Sequence, residues 1–251
     1  NAQERFVSSA AIIDHDSRSY WLLDITPDFR FQVKLLTNYV DSLVPRGIFI
    51  THAHSGHYTG LIDFGKEVLN TYKIPIYVMN KMFYFLYENK PWMNLIKQNN
   101  IELHKMENHQ KINICDELMI SPFMVSHRSE ISETVGFKIE GNNKSIIYLP
   151  DIDEWIDFEL ISFIKNNNIL FIDGTFFDKN EFGFRNINKI PHPSIKSTMS
   201  LVKNMLWEYK KRIFFIHFNH TNDALREDSE NYKIIFNKGF NIASQGELFN
   251  L

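Results

Sequence analysis

Apolar and polar positions alternate along the chain in two distinct rhythms. Ser8 to Ile13 and Tyr20 to Asp24 have the composition of strands and flank the polar stretch His15-Asp16-Ser17-Arg18, so they predict a hairpin. Thr26-Pro27-Asp28 then supplies a helix N-cap, a first-turn proline and an early acid, and Phe29, Val33, Leu36 and Val40 recur at helical spacing, predicting a helix of about three turns. Gly47 to Ile50 is a short, continuously apolar strand that runs straight into Thr51-His52-Ala53-His54-Ser55-Gly56-His57. A helix near Leu61 to Leu69, a buried strand from Ile74 to Met79, and helical segments at Lys81 to Tyr87 and Trp92 to Gln98 follow.

The middle of the chain changes character. Glu117 to Val125, Thr134 to Glu140 and Ser145 to Leu149 read as consecutive strands, with Gly141-Asn142-Asn143 as a hairpin turn. Alternation then returns: a helix from Glu154 to Ile164, a strand from Ile169 to Ile172, a long helix from Ser194 to Tyr209, a strand from Ile213 to Phe218 and a helix around Ser229 to Phe236. No internal repeat or low-complexity linker interrupts this order, so residues 1–251 are expected to form a single α/β domain of two mixed sheets with outer helices.

Composition narrows the function classes. Twenty-two Phe, ten Tyr and four Trp in 251 residues exclude a disordered chain. A formal net charge of -3 removes any general electrostatic reason to bind nucleic acid or an anionic membrane. The best apolar runs, Met82 to Tyr87 and Ile213 to Phe218, are far shorter than the roughly 18 residues of a membrane span. Cys115 is the only cysteine, so an internal disulfide framework and a Cys-rich zinc site are both excluded. Asn1 opens the chain without an initiator Met or a signal-like apolar segment, which leaves a cytoplasmic protein as the default and a periplasmic one if an upstream signal was removed.

Histidine placement brings in chemistry. His52, His54 and His57 fall within six residues at the end of a buried strand, where neutral imidazoles can share one metal ion of the Zn(II), Fe(II) or Mn(II) type. Further ligands should come from other strand ends. His127 follows the strand ending at Val125, Asp151 follows Leu149 through Pro150, Asp173 ends the strand ending at Ile172, and His217 ends the run from Ile213, with His220 three residues on. Singly, each of these would also serve as a cap or turn residue; together with the histidine triplet they outline a rim of ligands.

The order His52-x-His54-x-x-His57, His127, Asp151, His217 resembles the metallo-β-lactamase-fold hydrolases, which implies a four-layer αββα sandwich with one or two metal ions. Ala2-Gln3-Glu4-Arg5, Leu23-Asp24-Ile25-Thr26-Pro27-Asp28, Glu133-Thr134-Val135-Gly136-Phe137, Tyr148-Leu149-Pro150-Asp151-Ile152-Asp153, Asp173-Gly174-Thr175-Phe176 and His217-Phe218-Asn219-His220-Thr221-Asn222 look more narrowly like the branch that includes the pyrroloquinoline quinone (PQQ) biosynthesis protein B and its relatives. The resemblance implies that His52, His54 and His127 hold a first ion, that His57 and His217 hold a second, and that Asp151 bridges them, Asp173 being the alternative bridge. It also shows a departure: the family motif is usually His-x-His-x-Asp-His, and its Asp falls on Gly56, which weakens the second site.

Zinc is the expected cofactor, as one or two ions, with iron or manganese as alternatives. The resemblance further implies metal-bound hydroxide acting on a small-molecule phosphodiester or an ester or lactone. His192, in Ile190-Pro191-His192-Pro193-Ser194, resembles a histidine that aids the leaving group in phosphodiesterases of the superfamily, although a surface histidine before a helix would read the same way. His220 is the other donor candidate, or else a support residue with Asn219 and Asn222. Glu130 and Glu133 are candidates for orienting His127, and the aromatic segment from Met82 to Tyr87 with Trp92 lines either a pocket or the core. No basic cluster lies near these strand ends, so a small molecule is expected as partner, and the sequence leaves a homodimer open. The alternatives are an iron-dependent oxidative enzyme of quinone-cofactor (PQQ) biosynthesis, with His57, Asp151 and His217 as a two-histidine, one-carboxylate triad, and a metal-stabilised binding or carrier protein.

Overall fold

The structure, a computed structural model, describes residues 5–128, 130–178, 181 and 191–251. Of the sequence motifs, Ala2-Gln3-Glu4 and Ile190 lie outside the described residues. The chain forms two compact units: an N-terminal unit of Phe6–Asn108 with Ser129–Val135, and a C-terminal unit of Asn1–Arg5, His109–Arg128 and Gly136–Leu251.

The N-terminal unit is built on a five-stranded mixed sheet in the order β1-β2-β3-β4-β5. The hairpin appears as β1 (Ala10–Asp14) antiparallel to β2 (Ser19–Leu23). Its turn is closed by the Asp14 carboxylate, which accepts the N–H groups of Asp16 and Ser17 at 3.0 and 3.2 Å. Where three helical turns are expected, one turn forms, α1 (Phe29–Gln32), continued by a 3-10 stretch (Val33–Leu36). Gln32 is held from outside the helix, donating to Val7 O at 2.6 Å and accepting from Thr26 Oγ1 at 2.7 Å, while β-branched Val33 and Thr37 fit an α-helix poorly.

β3 (Gly47–Phe49) follows, then α2 (Ser55–Tyr58) and a second 3-10 stretch (Thr59–Phe64). The expected helix to Leu69 ends at Gly65, which turns extended (φ −64°, ψ 167°). Gly60 is required by a close approach, since a Cβ there would lie 2.2 Å from Thr26 O. β4 (Ile74–Val78), α3 (Asn80–Glu88), α4 (Trp92–Lys97) and β5 (Ile101–Lys105) complete the unit, with β2 to β5 all parallel. Met82, Leu86 and Trp92 are buried in its core with Tyr20, Ile48 and Ile76, whereas Tyr84 and Tyr87 face solvent, so the aromatic segment is chiefly core.

The C-terminal unit carries a seven-stranded mixed sheet, in the order β12-β11-β10-β9-β8-β7-β6; its strand β8 begins with the two residues Thr134 and Val135 that cluster with the N-terminal unit. In chain order the strands are β6 (Ile112–Cys115), β7 (Leu118–Val125), β8 (Thr134–Glu140), β9 (Ser145–Leu149), β10 (Ile169–Asp173), β11 (Ile213–Ile216) and β12 (Asn241–Ile242). β9, β10, β11 and β12 run parallel, in a register that sets Leu149 beside Ile172 and Asp173 beside Ile216. Their C-terminal ends are therefore neighbours, which is what positions the chemistry.

The helices of this unit are α5 (Asp157–Asn166), α6 (Ile195–Leu201), α7 (Trp207–Lys210) and α8 (Glu230–Asn237). Ser194 and Ser229 cap α6 and α8 by accepting the N–H groups of Ser197 and Tyr232. The single long helix expected from Ser194 to Tyr209 is instead two, because Val202 leaves helical geometry (φ −108°, ψ 16°) to bury its side chain and Leu206 is extended. Leu149, Leu160, Ile164, Ile172, Ile195 and Phe215 are fully buried in the core, each stabilising the fold by roughly 1.5–3 kcal/mol. Among the described residues, no helix is long and apolar enough to cross a membrane.

Candidate metal centre

In the N-terminal unit the histidine triplet is organised from below by Asp24. This residue directly follows β2 in a left-handed conformation (φ 62°) and donates its N–H to Phe49 O at 2.8 Å, so its carboxylate sits beneath the end of β3. There it accepts Thr51 N–H at 2.8 Å, Thr51 Oγ1–H at 2.9 Å and the His57 Nδ1–H at 2.7 Å, all of them buried. Thr51 spends its proton on Asp24 and accepts from His52 Nδ1 at 2.9 Å. Both His52 and His57 are thereby fixed with the proton on Nδ1, and Nε2 carries the lone pair. His54, the extended residue just before α2, turns its Nδ1 to within 2.8 Å of His52 Nε2. The loop is pinned by Ala53 N–H to Ser132 Oγ at 2.9 Å and by Val135 N–H to Thr51 O at 3.1 Å. At Gly56, where the family motif carries aspartate, a Cβ would meet only Val7 Cγ1 among the described residues, at an ordinary contact distance of 3.4 Å.

The C-terminal unit assembles its groups from four separate strand ends. Asp151, after β9, lies 3.3 Å from His217 Nε2, 3.6 Å from His127 Nε2 and 3.9 Å from His192 Nε2. Each of these rings is held on its other side: His127 Nδ1 by Asp153 at 2.9 Å, His192 Nδ1 by Asp173 at 2.6 Å and His217 Nδ1 by Thr175 Oγ1 at 3.2 Å. Asp173 also accepts Thr175 N–H at 2.9 Å and Thr175 Oγ1–H at 2.7 Å, which commits it to orienting its neighbours, whereas Asp151 faces three Nε2 atoms. One donor atom each from Asp151, Asp173 and His192 lies within 4.8 Å of the others.

His217 adopts a left-handed conformation (φ 57°), and the turn around it is fixed by Asn219 N–H to Thr175 O at 2.9 Å and Asn222 Nδ2 to Gly174 O at 3.1 Å. Gly174 is needed here: a Cβ would stand 2.9 Å from Ile216 O, closing the approach of the two strand ends. His220 lies in the same turn and is exposed.

Electrostatics separates His127 from His192. Burial lowers the proton affinity of His127, and the nearby Asp151 and Asp153 charges only partly offset this, so its imidazole is neutral at pH 7 and suited to a metal. Burial also opposes protonation of His192, but the Asp173 charge and hydrogen bond, with Asp151, outweigh it and raise its pKa. The donor set of buried imidazoles and carboxylates, without sulfur, fits a divalent transition metal.

Several of these residues were not singled out from sequence. Asp24, Thr51, Asp153 and Thr175 all serve as orienting partners, and Asp24 and Asp153 carried the same signal as the residues that were, a carboxylate just beyond an apolar strand. Glu133, a candidate for orienting His127, instead accepts the Lys81 N–H at 2.9 Å at the start of α3, and Glu130 is exposed.

The β-lactamase superfamily domain model matches residues 20–218. Coenzyme PQQ synthesis protein B of Pseudomonas fluorescens is 23% identical over 98% of this chain and 88% of its own length, and that of Acinetobacter baylyi is 22% identical over 91% and 82%. Among solved structures, zinc-bound PqqB from Methylobacterium extorquens superimposes with a TM-score of 0.82 at 19% identity, covering 100% of this chain and 89% of that one. A diphosphatase of the PhnP family gives 0.63 at 21% identity, covering 93% and 81%. With both mixed sheets present in order and the family match spanning most of the sequence, the chain belongs to the β-lactamase superfamily, has the metallo-β-lactamase fold and is PqqB-like.

Proposed function

We propose that residues 1–251 act as one catalytic domain, a metal-dependent hydrolase of a small-molecule phosphodiester, ester or lactone. In this reading His52, His54 and His127 hold the first ion, His57 and His217 the second, and Asp151 bridges. The observation that carries it is the orientation of the imidazoles: five of them, His52, His57, His127, His192 and His217, have Nδ1 engaged by a hydroxyl or carboxylate. That pattern sets the tautomer and basicity of metal-ligating histidines. Zinc is the first choice, supported by the donor chemistry and by the zinc-bound PqqB relative. When bound, the metal lowers the pKa of water toward about 7 and polarises the substrate oxygen.

The protein's own residues do the rest. Asp173 holds His192 Nδ1–H and favours its charged form, leaving an Nε2 proton to pass to the departing oxygen. Asp153 and Asp24 engage Nδ1 of His127 and His57, which fixes both rings in direction and leaves Nε2 as the atom that would face a metal. His220, exposed in the turn after β11, is the second donor candidate. The test is turnover of bis(4-nitrophenyl) phosphate and 4-nitrophenyl acetate by zinc-loaded protein, with His192→Ala lowering kcat at unchanged zinc content. Full metal loading without turnover of a phosphodiester, ester or lactone would contradict the hydrolytic reading.

A second reading is favoured by the relatives, whose name places them in PQQ synthesis: an iron enzyme with His57, Asp151 and His217 as ligands, leaving positions open for oxygen. Iron-dependent oxygen consumption on a tyrosine-derived substrate would support it.

A further inference from the structure

The loop that leaves β7 is tied to the loop that leaves β9. Asp153 N–H donates to Ser126 O at 2.7 Å, Ser126 Oγ donates to Asp153 at 3.3 Å, and His127 Nδ1 bonds the same carboxylate at 2.9 Å. The next residue, Arg128, therefore departs from a fixed backbone, and its side chain is exposed. The ring of His127, the residue just before it, has its centroid 5.0 Å from that of His192, so Arg128 leaves the chain beside that histidine.

Arg128 differs from the other described arginines. Arg18, Arg30 and Arg226 pair with carboxylates, Arg5 and Arg212 donate to carbonyl oxygens, and Arg46 lies over Trp21. Among the described residues, Arg128 has no such partner. Asp151, Asp153 and Asp173 are all committed to imidazoles. A cation kept beside this cluster without a carboxylate of its own is suited to one brought by a ligand, and a guanidinium matches two oxygens of a phosphate or carboxylate at once.

We propose that Arg128 is the substrate's anion anchor: the molecule processed here carries a phosphate or carboxylate oxyanion, which the guanidinium clamps beside His192. A single arginine suits a small anion, in keeping with the lack of a basic cluster. The proposal rests on the small-molecule hydrolase reading above and names its substrate class.

The test is calorimetric binding of inorganic phosphate and, separately, of phthalate to the zinc-loaded full chain, for wild type, Arg128→Gln and Arg128→Lys. Because charged hydrogen bonds of this kind contribute about 1.5–3 kcal/mol, Arg128→Gln should weaken binding roughly tenfold or more, and Arg128→Lys less, with zinc content and melting temperature unchanged. Preference for phosphate identifies a phosphoester substrate, and preference for phthalate a carboxylate. Equal affinity in wild type and Arg128→Gln, or no binding of either anion to wild type, overturns the proposal. Turnover separates it from the reading beneath it: if Arg128-dependent binding persists while neither chromogenic ester is hydrolysed, the anchor stands and hydrolysis fails. If hydrolysis occurs, KM for bis(4-nitrophenyl) phosphate should rise in Arg128→Gln while that for neutral 4-nitrophenyl acetate stays put.

Discussion

The N-terminal unit presents its histidines from one short loop, three within six residues, whereas the C-terminal unit gathers His127, Asp151, His192 and His217 from places spread over ninety residues. In the first, the geometry comes from local backbone plus one carboxylate, Asp24, that fixes two rings directly or through Thr51. In the second, parallel strands β9, β10 and β11 line up their C-terminal ends, and each ring receives its own orienting group. A compact loop depends on one buried anchor; a dispersed cluster spreads the task over several and depends on sheet register.

The largest effect should come from the point where the dispersed cluster converges. Asp151→Asn removes the charge that three imidazoles face and is expected to reduce bound zinc by about one ion per chain and abolish turnover, as read by elemental analysis and assay. Next, the single-anchor account of the N-terminal loop is broken or sharpened by Asp24→Asn, which should weaken zinc binding roughly 10- to 100-fold. Asp153→Asn should do less, because it disturbs His127 alone; equal losses in competition titrations would erase the contrast between the two units.

A smaller, opposite change is expected from Gly56→Asp. A Cβ fits at this position, so occupancy of the proposed second metal should rise, and unchanged occupancy would mean that Gly56 is not what weakens it. Smallest is a pH effect in metal-free protein. The Asp173 contact raises the His192 pKa, so its stabilisation is fully present below the unfolded value of about 6.5 and is lost as pH rises through the folded value. Proton NMR should show His192 titrating above ordinary histidines, and Asp173→Asn should bring it down and remove that part of the pH dependence.

The same contrast explains what the sequence disclosed. A triplet within one loop is visible as spacing, and so is a polar residue at the exit of an apolar strand, which is how His127, Asp151 and His217 could be named. Orienting partners are harder: nothing in the linear pattern joins Asp24 to His57 or Asp153 to His127, because each pairing is made by strands that meet only after folding. His192 drew its partner Asp173 from nineteen residues away for the same reason. Strands β8 and β9 match their apolar patterns end to end, while β5, β6 and β12, being short and partly exposed, leave too weak an alternation to be seen. The helices that shortened did so where local propensity met an external tie, as at Gln32, or a buried side chain, as at Val202.

The central proposal is that His52 and His127 are both metal ligands. Zinc per chain, measured by elemental analysis after loading and exhaustive dialysis, tests it directly in wild type, His52→Ala and His127→Ala. The account predicts zinc retained by wild type and lost from each variant separately, one altered in each unit; full stoichiometry in either variant would contradict it.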